Sequence, residues 1–399
     1  MSKFVLVSAV PRPLNWFLWA SATVTGVILI VTDLLQLDGL RLVNSRLVIG
    51  RDFLNVWSGG SLALSNHLDI IYKYDAYRSW QMSIFGTLDP YNYSYPPHTL
   101  FLALPFATMP YALSLTLWTI FGIIIFTYAA RPYMDCLPIY LAVLTPAAVV
   151  NIWCGHYGFV IGALWLWFFS NLGKSKFRAG VLAGFLTLKP HLGLLIAFSL
   201  ITKKSWRSIY IAIFVTLGLV VASSIAFGSD LWLEWLIDTS ALQRQIMNDP
   251  GQKFYFIMMP SIYITLRNLP LHIALIGQIV FSCIALSLCW KSRHCGNKDL
   301  AFITATATAI ILPYIFNYDL TVSCLGFAIA IYKRWADLTS YERIALWLGF
   351  ASPLLVMVSQ PVAPISLLLG LIVLVRQAEK DRMDEPQFDK VQLKENLNV

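Results

Sequence analysis

Apolar runs of about 17–25 residues recur along most of this 399-residue chain, and a run of that length suits a helix that crosses a membrane. Within lipid every backbone polar group must be bonded inside the protein, so only helical bundles and closed barrels span a membrane. Barrel strands would show as short segments of alternating polarity. Only 13% of the residues are charged, against about 25% in a typical soluble domain. We therefore predict an all-α polytopic membrane protein.

The apolar runs predict about ten full spans within a single transmembrane domain, residues 1–377. The first run is too long for the core of a cleaved signal peptide, so we expect it to stay as a span. A polar tail, 378–399, follows and is predicted to be disordered. The predicted spans are 14–35, 99–129, 137–150, 157–172, 207–227, 271–290, 299–316, 318–334, 344–359 and 362–377.

Lysine and arginine collect in alternate connections between the spans, which predicts the orientation of the chain. The positive-inside rule places both termini and the tail in the cytoplasm. Segments 36–98 and 228–270 are then the two large extracytoplasmic pieces, and we expect amphipathic helices in both. The net charge of +8 follows from this topology, so we expect membrane lipids and no nucleic acid as partners.

The apolar stretch 179–200 has basic residues on both flanks, so both of its ends should be cytoplasmic. A half-membrane hairpin of two short helices meets that requirement, with Lys189 and His191 near its tip. The alternative is one span kinked at Pro190. A charged side chain within an apolar run is costly and indicates a functional site, and Lys189 at a wet hairpin tip would suit an anionic lipid phosphate.

Asp52 is a carboxylate placed just beyond the first span, at the predicted outer membrane edge. Segment 52–64 predicts an amphipathic interfacial helix, so Asp52 is a candidate N-terminal cap as well as a candidate catalytic base. Arg51 beside it has three possible roles: a neutralising partner, a phosphate ligand or an interfacial anchor.

Further polar residues fall on the same predicted outer side. Tyr95 and His98 belong to a Tyr-Pro-Pro-His sequence before the second span. Such an entry is more often structural, and His98 is either an interfacial hydrogen-bonding residue or a site residue. His156 lies in a short turn and is a candidate site residue or helix cap. Asn317 and Asp319 flank a tight turn, where the acid either caps a helix or faces the same cavity as Asp52.

Other function classes lack their motifs. The chain has no spacing typical of a metal site, no nucleotide-binding P-loop and no dinucleotide glycine fingerprint. Its six cysteines show no Cys-x-x-Cys spacing and are interpreted as helix-packing residues.

Several of these motifs, in this order, resemble glycosyltransferase family 87 over roughly residues 45–330. The resemblance implies a GT-C-type membrane fold and an enzyme that takes a hexose, typically mannose, from a polyprenyl phosphate. This chain departs from the family in having His156 and His191 where glutamine is frequent, and Asn317 where histidine is frequent. The motifs are Asp52-Phe53, Tyr95-Pro96-Pro97, Gly155-His156, Leu188-Lys189-Pro190-His191-Leu192-Gly193 and Asn317-Tyr318-Asp319-Leu320.

The resemblance maps the family's acidic base onto Asp52, and the residues indicate the same role. We expect transfer with inversion to an extracytoplasmic glycolipid or glycan, with no metal or other cofactor. Lys189, then Arg51 and His191, are the expected ligands of the donor phosphate. Tyr95, His98, His156, Asn317 and Asp319 are expected to bind substrate. Two alternatives stay open: a lipid-linked sugar transporter, and a non-catalytic subunit that assembles envelope enzymes. The expected location is the bacterial inner membrane, with the active site facing outward.

Overall fold

A computed structural model describes residues 12–89, 91–135, 137–248 and 256–396, and it is almost entirely helical. Part of the second extracytoplasmic segment, 249–255, lies outside the described residues. The helices of the N-terminal half are α1 Arg12–Leu34, α2 Phe53–Leu64, α3 Tyr74–Phe85, α4 Leu100–Ala107, α5 Tyr111–Met134, α6 Pro146–Cys154, α7 Gly158–Asn171, α8 Lys176–Phe185 and α9 Leu194–Thr202. Those of the C-terminal half are α10 Trp206–Phe227, α11 Asp230–Glu234, α12 Ser240–Asn248, α13 Ile262–Leu266, α14 Leu271–Ser292, α15 Asn297–Ile311, α16 Thr321–Arg334, α17 Ser340–Val358 and α18 Val362–Asn396.

Six of the described helices are long and apolar enough to cross a membrane: α1, α5, α10, α14, α17 and α18. The outer surface of α10 shows why. Phe214 is 78% exposed and Ile225 is 82% exposed, and such side chains are stable outward only against lipid. The protein is therefore a polytopic helical membrane protein, as predicted.

Several predicted spans have different bounds in the structure. The span predicted over 99–129 is two helices, α4 and α5, because Pro110 lacks a backbone N–H and interrupts the helical hydrogen bonding. The span predicted over 137–150 is a 3₁₀ turn, Ile139–Ala142, followed by the nine-residue α6. At about 1.5 Å per residue, α6 rises about 14 Å, half of a bilayer's apolar thickness.

The helices α7, α15 and α16 have 14 or 15 residues each, so they rise about 21–23 Å. They lie in the interior of the bundle, where most of their side chains are buried. Full spans therefore number six among the described helices by length, and the prediction of about ten remains a prediction.

The segment predicted as a hairpin consists of α8, a 3₁₀ turn at Leu186–Leu188, the Lys189–Pro190 tip and α9. Its two ends lie side by side. Ser208 Oγ donates to the carbonyl of Lys176 at 2.8 Å and bonds Ser205 Oγ at 2.8 Å. The chain therefore enters and leaves this segment at the same end, which is the geometry of a hairpin and not of one kinked span.

Two further predictions, on α2 and on the tail, differ from the structure, and a small sheet precedes α2. Helix α2 was expected at the membrane interface, but it is buried, because Gly60 lets α4 approach so closely that a Cβ there would lie 2.6 Å from Ala107. Residues 37–48 form a small antiparallel sheet of three two-residue strands, β1 Leu37–Asp38, β2 Arg41–Leu42 and β3 Leu47–Val48. The tail expected to be disordered from 378 continues α18 to Asn396.

Candidate active site

A cavity of about 880 Å³, including its mouth, lies where the hairpin tip meets the start of α2 and the segment that follows α3. Six parts of the chain, separated in sequence, form its wall. The lining residues are Asp52, Asn55, Tyr91, Asn92, Ser94, Tyr95, Pro96, His156, Leu188, Lys189, Pro190, His191, Trp235, Leu236, Thr239, Ser240, Gln243, Tyr314, Phe316 and Tyr318.

Asp52 lies in a tight turn immediately before α2. Gly50 has φ +77° and Arg51 has φ +38°, and the backbone N–H of Phe53 closes the turn on the carbonyl of Gly50 at 2.8 Å. Asp52 occupies the N-cap position of α2, but its carboxylate makes no capping hydrogen bond. Burial raises the pKa of Asp52 to about 7, against the opposing charge of Lys189. A carboxyl group with a pKa near neutrality therefore lines the cavity.

Lys189 reaches the same cavity from the hairpin tip. Its ammonium donates to both carboxylate oxygens of Asp319, at 2.6 and 2.8 Å. Lys189 is only 7% exposed, and an ammonium in such a position is stable only when it is paired. An ammonium has three N–H donors, so one remains for a ligand in the cavity. His191, two residues on, lines the same wall.

His156 and Tyr95 form a second bonded pair on the cavity wall. The Tyr95 hydroxyl and His156 Nε2 lie 2.9 Å apart, and the imidazole stacks on Tyr318 with ring centroids 4.0 Å apart. His156 Nδ1 lies 3.8 Å from the Asp319 carboxylate. Burial, and then the charge of Lys189, keeps the pKa of His156 well below its ordinary value, so the ring is neutral.

The turn that carries His156 is fixed against the Asp52 turn. Gly155 ends α6 with φ +60°, and a Cβ there would lie 2.6 Å from the Cβ of Phe53. The Trp118 indole donates to the Gly155 carbonyl at 2.9 Å. Only glycine fits this close approach, and it sets the distance between the two turns.

Other residues expected at the site lie outside the cavity wall. Arg51 points away from it and donates to both oxygens of Asp33 at 2.6 and 2.8 Å. His98 stacks on Trp232 with centroids 5.5 Å apart, and its Nε2 lies 3.5 Å from Thr187 Oγ1.

The two residues at the 317–319 turn are also set back from the cavity. The Asn317 amide donates to the carbonyl of Pro353 at 2.8 Å. Asp319 lies behind Lys189, with its side chain fully buried. Of the nine predicted site residues, the cavity wall therefore brings together Asp52, Tyr95, His156, Lys189 and His191.

The sequence interpretation missed Asp33, Asn55, Tyr91 and Trp235. The sequence could have identified Asp33, because an acid in the last turn of an apolar span is costly and indicates a partner or a function. Trp235 covers the cavity and donates from its indole to the carbonyl of Ser94 at 3.1 Å. Nothing in the local sequence marks Tyr91, and only the tertiary fold places it on the cavity wall. Among the described residues, no three His, Cys, Asp or Glu side chains come together as metal ligands.

Comparison with known proteins adds one match. No curated protein and no solved structure matches the chain. A family model described as Glycosyltransferase family 87 matches residues 93–316, more than half of the chain. The match includes Tyr95, His156, Lys189 and His191, and it begins after Asp52. The protein is thus a membrane-embedded member of glycosyltransferase family 87.

Proposed function

We propose that this protein transfers a hexose, mannose in the first instance, from a polyprenyl phosphate to an extracytoplasmic glycolipid or glycan. The observation that carries the proposal is the placement of Asp52 and Lys189 on one cavity wall. A donor with a lipid tail and a phosphate needs a cation at a wet site beside lipid, and the acceptor hydroxyl needs a base.

The reaction is one displacement at the anomeric carbon. The acceptor oxygen attacks C1 as Asp52 takes its proton, and the bond from C1 to the phosphate oxygen breaks on the opposite face. That bond's electron pair leaves with the polyprenyl phosphate, so the anomeric configuration inverts. The remaining N–H of Lys189, with His191 beside it, stabilises the departing anion.

The charge pattern of the loops supports an orientation for this reaction. With both termini in the cytoplasm, the Asp52 turn and the 228–270 segment face outward. The hairpin tip then reaches the outward cavity from the cytoplasmic side. The donor's polyprenyl tail stays in lipid while its sugar enters the cavity, and the site requires no cofactor beyond the donor.

Asp52→Asn tests the proposal in nanodiscs supplied with polyprenyl-phosphate mannose and an alkyl mannoside acceptor. We expect the variant to lose at least about 100-fold in kcat, because the amide cannot take a proton. In the parent, kcat should rise with pH and level off above about pH 7, as the carboxyl loses its proton. Asp75→Asn, an exposed acid in α3, is the matched control and should keep full activity.

Stability gives a second readout. The native Asp52 carboxyl keeps its proton to about pH 7, whereas an unfolded Asp loses it near pH 4, so the parent loses stability as pH rises through that window. The Asp52→Asn variant should lack this loss. Equal transfer rates for the parent and Asp52→Asn would eliminate Asp52 as the base, and a parent that transfers no hexose would reject the enzymatic proposal.

A further inference from the structure

The Tyr91 hydroxyl is a buried polar group in the cavity wall that has no hydrogen-bond partner in the described structure. Tyr91 is only 5% exposed, and most buried polar groups in proteins are hydrogen-bonded. The backbone N–H of Val48 approaches this oxygen, but it is a donor, so the hydroxyl proton remains without an acceptor. An unpaired donor on the wall of a cavity indicates a ligand that carries an acceptor.

Asn55 supplies a second donor on the same wall. It follows Asp52 by three residues at the start of α2, and that spacing places both side chains on one face of the helix. The Tyr77 hydroxyl donates to Asn55 Oδ1 at 3.0 Å, which fixes the side-chain amide with its oxygen toward Tyr77. Because Asn55 lines the cavity and its oxygen is bonded to Tyr77, the NH₂ group is the end of the amide left for a ligand.

We propose that Tyr91 and Asn55 form a binding site for the hydroxyl oxygens of a hexose, on either side of the hydroxyl that Asp52 deprotonates. The assignment rests on the proposed function and extends it to two residues that neither the sequence nor the family match indicates. Asp52 accepts a hydrogen bond from the reacting hydroxyl, while Tyr91 and Asn55 donate to neighbouring oxygens. A pyranose ring presents adjacent hydroxyls that suit this alternation of acceptor and donors.

Two neighbouring tyrosines show how a purely structural role differs. Tyr93 is equally buried, but its hydroxyl bonds Thr99 Oγ1 at 2.8 Å and it does not line the cavity. Tyr157 is 1% exposed and has an unpaired hydroxyl, yet it also lies off the cavity wall. Tyr91 alone of these three combines an unpaired hydroxyl with the cavity.

The experiment compares Tyr91→Phe, Tyr93→Phe and Tyr157→Phe in nanodiscs with polyprenyl-phosphate mannose and an alkyl mannoside acceptor. Tyr91→Phe should lower kcat/KM about tenfold, the worth of one hydrogen bond made to substrate, while its unfolding temperature stays at the parent value. Tyr93→Phe should lower the unfolding temperature and keep kcat/KM. Tyr157→Phe should change neither quantity. Tyr77→Phe removes the hydrogen bond that orients the Asn55 amide. It should raise the KM of the substrate whose hexose Asn55 binds, and it should leave unchanged the pH at which kcat levels off.

Hydrolysis of the donor without acceptor identifies which sugar is bound. If Tyr91 binds the acceptor hexose, Tyr91→Phe hydrolyses donor at the parent rate and its acceptor KM rises. If it binds the donor hexose, hydrolysis falls along with transfer. Unchanged transfer and hydrolysis in Tyr91→Phe, with an active parent, overturns this inference alone. An inactive parent overturns the proposed function instead.

Discussion

Two buried ion pairs flank the Asp52 turn. They differ in whether the cation keeps an N–H donor for a ligand in the cavity. Arg51 and Asp33 join the turn to the end of α1, and the Arg51 guanidinium also lies 3.4 Å from the centroid of the Trp153 ring. The Trp153 indole donates to Asp33 at 3.0 Å, which completes a group of three side chains that we call the Arg51 clasp. Lys189 and Asp319 form the second pair, on the cavity wall.

The difference separates a structural cation from a candidate ligand-binding cation. The guanidinium in the clasp is paired along one edge and covered on one face by an aromatic ring, away from the cavity. The Lys189 ammonium keeps one donor and faces the cavity. Both residues were predicted as phosphate ligands because both are basic and near the site. What separates them is that Lys189 lines the cavity and Arg51 does not.

The largest effect is expected from Lys189→Met. Loss of the ammonium should lower kcat by about 100- to 1000-fold, because in the proposed reaction it stabilises the leaving phosphate, and Lys189 is the one lysine or arginine among the described residues of the cavity wall. It should also destabilise the protein by about 3–5 kcal/mol, because Asp319 is left buried and unpaired. Transfer assays and thermal unfolding in detergent measure the two effects.

The double variant Lys189→Met with Asp319→Asn separates those effects. Removing both charges should restore most of the lost stability, and activity should stay low. Recovery of activity in the double variant would show that Lys189 serves only to pair Asp319.

Arg51→Met should lower mainly the stability of the protein and have a smaller effect on its activity. We expect a similar loss of about 3–5 kcal/mol, since Asp33 is then a buried unpaired acid at the end of a span. Activity should fall only about tenfold, through a looser Asp52 turn, and the donor KM should not change. Adding Asp33→Asn should restore stability and most of the activity. A rise in donor KM without loss of stability would instead indicate that Arg51 binds the donor phosphate.

The sequence predicted the helical class and the hairpin because both follow from patterns along the chain. Apolar run length indicated the spans, and charge on both flanks of 179–200 indicated a segment that returns to its starting side. Run length did not distinguish the short interior helices α6 and α7 from the six full-length helices, since an apolar run within a bundle looks the same whether lipid or protein covers it. Buried α2 was misjudged for the same reason.

The site was predictable only where a polar residue was costly in its local context. Asp52 and Lys189 stand out within or beside apolar runs, and the structure places both on one wall. Tyr91 and Asn55 have no such signal, because their unpaired donors arise from which side chains meet in three dimensions. Arg51 shows the converse: its neighbour Asp33 is 18 residues away, and only the fold shows that the two are paired.

The smallest effect tests the clasp itself. Trp153→Phe keeps an aromatic ring under the Arg51 guanidinium and removes the indole donor to Asp33. We expect a loss of about 1–2 kcal/mol and unchanged transfer, because the ion pair still holds the Asp52 turn. Trp165→Phe is the matched control: its indole donates at 2.8 Å to the carbonyl of Ala301, so it should lose about 1 kcal/mol. If Trp153→Phe reduced kcat as strongly as Arg51→Met, the indole would be the group that fixes the turn. The clasp would then act on Asp52 through Trp153 more than through the ion pair.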